Sequence, residues 1–176
     1  MTTHDKLGHY LTRIMNQRPI ESNFQKRLPD NLNAEVSLGT VSDVKEAVAW
    51  LSYSYMFVRM LKNPLVYGMT PKEAGKDPNL LRHREEMIIA AARLLDDRRM
   101  LRFQEQAGYL SSTDVGRIAS HYYIGASTIE TYNEAFRPHM TEAELVAMVA
   151  KSSEFDQIKV GMLPTCVCVC VCACVY

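Results

Sequence analysis

The sequence predicts a mainly α-helical protein, a winged helix followed by the first helices of a helical bundle. Amphipathic helical patterns come first, an alternating segment at residues 100–110 predicts a small β-hairpin, and three short helical patterns follow. Helices followed by a hairpin are the element order of a winged helix. The 176 residues, 47% of them hydrophobic, provide enough chain for one domain and part of another.

Two helical patterns precede the strongest one. Residues 5–16 repeat their apolar side chains at a helical period and predict an amphipathic helix. A weaker pattern covers residues 21–38, in which Pro29 is expected to kink or restart the helix. Gly39 is expected to end this second helix.

The strongest pattern begins after Asp43 and predicts one continuous helix that ends at Asn63-Pro64. Its predicted core stripe comprises Val44, Ala47, Val48, Leu51, Tyr55, Val58 and Leu61. A polar loop is predicted for residues 69–77. Asp77-Pro78 then predicts the N-cap and first turn of a helix whose inward residues are Leu81, Ile88, Ala91 and Leu95.

Each of the three helices after the hairpin is preceded by a capping signal. Ser111, Ser127 and Thr141 are each followed three residues later by an acidic residue, which is typical of a helix N-terminus. These signals predict helix starts near residues 112, 128 and 142.

All five cysteines lie in the alternating Cys-Val segment from Cys166 to Cys174. A thiolate metal cluster, a β-strand and a translated TG repeat are three alternative explanations. The repeat is favoured, because alternation places every cysteine on one side of an extended chain instead of around one ion. Residues 161–176 are therefore predicted to be a non-native tail, and the cysteine-free remainder is typical of a reducing compartment.

Composition and motifs exclude several classes of function. Basic and acidic residues both number 20, which argues against a polybasic nucleic-acid coat and an acidic tail protein. No apolar run reaches the roughly 18 residues of a membrane span, and the polar N-terminus does not resemble a secretory signal. Phosphate-binding loops, dinucleotide-binding glycines, a nucleophile elbow and paired zinc ligands are all missing from the sequence. We therefore expect no catalytic residue, metal, cofactor or membrane partner for this chain by itself.

The candidate contact residues are arginines near the hairpin, together with one histidine. The last helix before the hairpin, and the hairpin itself, usually form the nucleic-acid surface of a winged helix. However, residues 78–125 carry seven arginines and six acids, and residues 126–160 are net acidic, which also fits solvated helix faces. His121 is either such a contact or a structural histidine that forms a hydrogen bond at a domain junction. The candidates for nucleic-acid or interdomain contact are Arg82, Arg84, Arg98, Arg99, Arg102, Arg117 and His121, and Arg93 belongs to the same cluster.

Several sequence strings resemble the Ski-two-like superfamily-two helicases over about residues 1–160. Residues 31–41, 49–60 and 63–68 are similar to the winged helix of that family, and residues 113–124 to the start of its Sec63-type helical bundle. Residues 2–6 look like the chain that follows the last motif of the second RecA-like lobe. The resemblance is strongest to the first helicase cassette of the activating signal cointegrator branch, and the spliceosomal branch is also similar.

This resemblance implies four segments and a function. Residues 1–20 would end the second RecA-like lobe, 21–111 would form the winged helix, 112–160 would start the Sec63-type bundle, and 161–176 would be the tail. The family implies ATP-driven 3′-to-5′ unwinding of nucleic acid, with ATP and Mg²⁺ bound by parts of the parent helicase outside this chain. It also implies partners in the rest of the cassette and the cointegrator complex, and roles in alkylated-DNA repair, transcriptional coactivation and ribosome quality control. The expected location is the nucleus, with the cytoplasm as a second site.

Two functions remain open at this point. The chain is either a non-catalytic coupling module of a helicase fragment or a stand-alone winged-helix adaptor that binds nucleic acid or a protein.

Overall fold

The structure is a computed structural model and describes residues 3–16 and 19–155. Within these ranges it contains nine α-helices and one antiparallel two-stranded sheet, which confirms the predicted mainly α winged helix. None of the described helices combines the length and apolar character that a bilayer-spanning helix requires. The predicted Cys-Val tail lies outside the described residues. The elements are α1 His4–Met15, α2 Leu28–Leu38, α3 Val44–Ser52, α4 Tyr55–Lys62, α5 Pro71–Lys76, α6 Leu81–Asp97, β1 Leu101–Gln104, β2 Tyr109–Ser112, α7 Asp114–Tyr122, α8 Ala126–Ala135 and α9 Glu142–Ala150.

The first two helices agree with the sequence patterns. Pro29 lies in the first turn of α2, directly after a 3-10 turn at Phe24–Arg27, so it restarts the helix. Gly39 ends α2 in the left-handed conformation, with φ of 78°. In α1, by contrast, the apolar residues that repeat at the helical period are 42–72% exposed, namely Leu7, Tyr10, Leu11 and Ile14.

The predicted continuous helix of residues 44–62 is wrong, because the chain breaks it at Tyr53-Ser54. The Ser54 side chain accepts a hydrogen bond from the backbone N–H of Phe57 and caps a new helix, α4. The break changes which face turns inward, so Met56 and Met60 are buried. The predicted inward residues Tyr55, Val58 and Leu61 are instead 45–56% exposed.

The segment before α6 also differs from its prediction. The expected polar loop contains the short helix α5. The N-cap of α6 is Leu80, with φ of 51°, and the carboxylate of Asp77 instead accepts from the backbone N–H of Arg82 at 2.8 Å. Leu80 is therefore buried and Leu81 is 53% exposed, contrary to expectation, whereas Ile88, Ala91 and Leu95 are buried as predicted.

The hairpin is confirmed. Strands β1 and β2 pair antiparallel, with Leu101 opposite Ser112 and Gln104 opposite Tyr109. The turn between them ends at Gly108, whose φ of 67° favours glycine. The chain before α3 extends this sheet, since the N–H of Leu110 donates to the carbonyl of Ser42 at 2.8 Å.

One of the three predicted caps is correct. Thr141 and Glu144 form both hydrogen bonds of a capping box at the start of α9. Ser111 belongs to β2, and Thr113 caps α7 instead. Ser127 lies inside α8, whose N-cap is Gly125.

The core crosses the predicted domain boundary at residues 111–112. Leu32, Leu51, Ile88 and Leu110 pack in the same cluster as the helices after the hairpin. From those helices, the core receives Ala119, Ala126 and Ile129. The winged helix and the first two helices that follow it are thus one packed unit.

Candidate interdomain interface

Arg84 is buried, so it is not available as a nucleic-acid contact in this fold. Its Nη1 donates to the carbonyl oxygen of Val48 at 2.9 Å, and its guanidinium carbon lies 4.6 Å from the ring centroid of Phe57. Burial lowers the pKa of Arg84, and the carboxylate of Asp77 opposes this effect. This arginine joins α6 to α3 and α4 instead of facing outward.

Three other candidate arginines are paired with carboxylates. Arg93 pairs with Glu105, and Arg117 pairs with Asp114. Arg98 pairs with Glu130 of α8, its Nη2 lying 2.6 Å from Oε2. Each of these carboxylates reduces the positive potential that the arginine offers to a phosphate.

The remaining candidates Arg82, Arg99 and Arg102 are exposed and form no ion pair with another described side chain. Arg82 lies at the start of α6, and the other two follow its end. The 17 residues of α6 separate them by roughly 25 Å at 1.5 Å per residue. The structure therefore divides the predicted cluster between the two ends of α6.

The exposed face of α6 is acidic. Glu85, Glu86, Asp96 and Asp97 are all exposed there, and Arg82 and Arg93 are the exposed basic residues of the same helix. A helix that reads a DNA groove needs an excess of positive charge on its exposed face. The exposed face of α6 instead carries an excess of negative charge.

The side chain of His121 is exposed, and none of the described residues forms a hydrogen bond with its ring. The ring instead packs edge-on against Tyr122, with centroids 5.0 Å apart. Neither alternative for His121, an external contact or a structural histidine at a domain junction, is decided by this geometry. His121 and Arg117 border a shallow groove of about 620 Å³ between α2 and α7.

A buried contact joins α2 to α7 at the predicted domain boundary. Asn33 is 2% exposed, and its Nδ2 donates to the backbone carbonyl of Gly116 at 2.9 Å. A Cβ at Gly116 would overlap the carbonyl oxygen of Met100 and lie 2.7 Å from Oδ1 of Asn33. The backbone of α7 therefore touches both α2 and the start of the hairpin, with no space between them.

Further polar contacts fasten α7 and α8 to the winged helix. The hydroxyl of Thr113 caps α7 and reaches the carbonyl oxygens of Arg99 and Met100, at 2.7 and 2.8 Å. The carboxylate of Asp30 accepts from the backbone N–H of Ala126 at 2.8 Å. Thr113 thus fixes the start of α7 relative to the chain between α6 and β1, and Asp30 fixes the start of α8 relative to α2.

A second polar cluster fastens the segment that enters the winged helix. Oε1 of Glu21 accepts from Nη2 of Arg59 at 2.7 Å and from Nδ2 of Asn63 at 3.1 Å. Its Oε2 accepts from the hydroxyl of Tyr67 at 3.0 Å. We call Glu21, Arg59, Asn63 and Tyr67 the entry clamp. Hydrogen bonds from Arg59 and Asn63 lower the pKa of Glu21 from 4.5 to about 2.

The entry clamp predicts a pH-dependent stability. Because the pKa of Glu21 is lower in the folded state, its stabilisation is complete above about pH 5 and is lost as the pH falls through about 2. Glu21→Gln is therefore expected to be less stable than wild type at pH 7, by a difference that shrinks towards pH 2. Denaturant unfolding at several pH values measures this difference.

Glu105→Gln is the control for the entry clamp, because Glu105 and its partner Arg93 are both 59% exposed. It should change stability little at any pH. A pH-independent loss in Glu21→Gln would contradict the assigned pKa.

Sequence reasoning missed Glu21, Asp30 and Asn33, because it searched for clusters of charge and for motifs. One usable signal was Gly116, since a glycine inside a helix often marks a close backbone approach. The contacts of these residues form only when the helices pack together, so no local pattern indicates them.

Within the described ranges, no group of three or more potential ligands is placed to hold a metal ion. In this arrangement, polar contacts fasten the segment before the winged helix and the helices after it to one core.

Comparison with known proteins finds two family profiles and several relatives that match this chain. A family profile described as Winged Helix-turn-helix domain matches residues 21–97, and one described as Sec63 Brl domain matches residues 112–161. The chain is 58% identical to Activating signal cointegrator 1 complex subunit 3 of Bos taurus and 57% identical to that of Homo sapiens. It is 51% identical to the DExH-box ATP-dependent RNA helicase DExH14 of Arabidopsis thaliana.

Each of these three matches covers 160 residues, which is 91% of this chain and 7% of the relative. The chain thus spans a small part of the length of its relatives. The matched part comprises the winged helix and the beginning of the Sec63 region. The chain therefore belongs to the helicase family of Activating signal cointegrator 1 complex subunit 3, within which it spans the winged helix and the start of the Sec63 domain.

Proposed function

We propose that this chain is a non-catalytic coupling module that links the motor lobes of an ATP-dependent helicase to its strand-gripping helical bundle. The observation that carries the proposal is the continuity of contacts across the molecule. The entry clamp holds the segment that arrives from α1, and Asn33, Gly116 and Asp30 hold the helices that leave. A displacement at one end is transmitted to the other because the core between them is close-packed.

The charges of the exposed surface favour coupling over a stand-alone adaptor. The outer face of α6 carries four exposed carboxylates, and three of the candidate arginines are paired with acids. Duplex binding at physiological salt depends on many unpaired basic groups that release counterions. Arg99 and Arg102, near the hairpin, are better suited to a single contact with a strand or a neighbouring lobe.

The activity of the parent protein forms part of the same proposal. It would unwind nucleic acid in the 3′-to-5′ direction with ATP and Mg²⁺ bound outside this chain. It would act in the nucleus, and also in the cytoplasm, with other subunits of a cointegrator complex. DNA alkylation repair, transcription coactivation and ribosome quality control are the roles that follow from the family resemblance.

Asn33→Ala in the full-length helicase that carries this segment tests the coupling. The substitution removes the hydrogen bond from Asn33 to the carbonyl of Gly116 and loosens α7 from α2. We expect nucleic-acid-stimulated ATP hydrolysis to continue while strand separation per ATP falls on the order of fivefold. Parallel measurements of ATPase and unwinding rates give this ratio.

Asn31→Ala is the matched control, because Asn31 lies in the same helix and donates only to the carbonyl of Arg27, one turn away. It should leave the ratio unchanged. An equal loss of ATPase and unwinding in Asn33→Ala would contradict coupling. Micromolar or tighter duplex binding by this chain alone at physiological salt would favour the adaptor instead.

A further inference from the structure

Helix α9 is attached much more loosely than the helices before it. Within the described chain, α7 and α8 contribute Ala119, Ala126 and Ile129 to the core, whereas α9 contains no buried residue. Its Val146 and Val149 are 62% and 44% exposed. Other contacts, not burial in the core, must therefore hold α9 in place.

The connection between α8 and α9 has the properties of a hinge. Phe136 is 64% exposed, and the next three residues are exposed as well. His139 adopts φ of 66°, a left-handed conformation that is unfavourable for a residue with a Cβ. Short exposed connections at the ends of helices are where proteins absorb the backbone rotation of a hinge.

A cluster of hydrogen bonds joins the far end of α9 to the start of α8. The hydroxyl of Thr128 is central, because it donates to the carboxylate of Glu154, accepts from the N–H of Ser153 at 3.2 Å and lies 2.9 Å from the hydroxyl of Ser153. Oε1 of Glu154 also accepts from the N–H of Gly125 at 2.7 Å. Thr128 is only 1% exposed, so its bonds are shielded from water.

We propose that residues 136–141 are a hinge and that residues 153 and 154 are a latch, so that α9 swings as a unit when the latch opens. The latch is polar and adds little apolar burial, and its opening therefore costs less than unfolding of the core. The inference rests on the proposed function, because the swing would give the coupling module a joint at which the strand-gripping bundle reorients.

Amide hydrogen exchange on the full chain, without ATP or nucleic acid, tests the latch. Thr128→Val keeps the shape of the side chain and removes the central hydroxyl. We expect the N–H of Gly125, which donates to Glu154 across the latch, to exchange about tenfold faster, while the amides of α6 and α7 keep their wild-type rates. Thr131→Val is the matched control, since Thr131 lies on the same helix and donates only to the carbonyl of Ser127.

A second variant, Glu154→Ala, removes the carboxylate and leaves the buried threonine in place. It should accelerate exchange of the N–H of Ser153, which donates to the hydroxyl of Thr128. Unchanged exchange of the Gly125 amide in the first variant and of the Ser153 amide in the second would overturn the latch. Equal acceleration throughout α7, α8 and α9 would overturn the hinge, because the three helices would then open together. Either result is independent of the ATPase-to-unwinding ratio of Asn33→Ala, which tests coupling itself.

Discussion

Gly116→Ala is expected to lower the free energy of unfolding by about 3 kcal/mol or more. The added methyl group would overlap the backbone carbonyl of Met100 and crowd Oδ1 of Asn33. Neither neighbour can yield easily, because one is backbone and the other belongs to the buried Asn33, whose Nδ2 donates to the same helix. The helix α7 would have to separate from both the hairpin and α2. Denaturant unfolding measures the change.

Gly8→Ala provides the control for this experiment. Gly8 lies inside helix α1, and a Cβ there meets no other atom within 4 Å. Since alanine favours helix by about 1 kcal/mol over glycine, this variant should lose no stability. Wild-type stability in Gly116→Ala would show that α7 does not pack as closely as the structure indicates. In the full-length helicase, Gly116→Ala should also reduce unwinding per ATP.

Arg84→Ala is expected to destabilise the fold by about 2–4 kcal/mol. The substitution leaves the carbonyl of Val48 without this partner and removes the guanidinium group that lies over Phe57. It also creates space between α6 and α3, because Arg84 is only 6% exposed. Thermal and denaturant unfolding both report this effect.

Arg102→Ala is the comparison, since sequence patterns assign both arginines to the same candidate contact surface. Arg102 is exposed on β1, and its loss should change stability by no more than about 0.5 kcal/mol. If Arg84 were an external contact, the two variants would be equally stable. A small stability change in both would therefore contradict the internal role of Arg84.

Local patterns predicted most elements of the fold. They failed where one helix ends and the next begins with a different face turned inward, between α3 and α4. The hairpin turn, the Pro29 restart, the Gly39 end and the Thr141 capping box all depend on residues close in sequence, and all are confirmed. The break at Tyr53-Ser54 was not predicted, because the apolar residues on either side continue without interruption.

The contact residues were predicted less well, because arginine is compatible with very different environments. Its long apolar stem and its charged end allow it to be buried, as Arg84 is, or exposed, as Arg102 is. Spacing along α6 does not distinguish these cases, since burial of Arg84 depends on the positions of Val48 and Phe57 on other helices. Arg93, Arg98 and Arg117 likewise acquire their partners only when the chain folds.

Sequence alone established the winged-helix class, the order of the elements and the resemblance to helicases, because these depend on local periodicity and on contiguous strings of residues. Folding decided that the core continues past residue 111, that Glu21 and Asn33 fasten the two ends, and that Arg84 lies inside. Each of these features joins residues 36 or more positions apart. Such partners are selected by how whole helices pack, which no local pattern specifies.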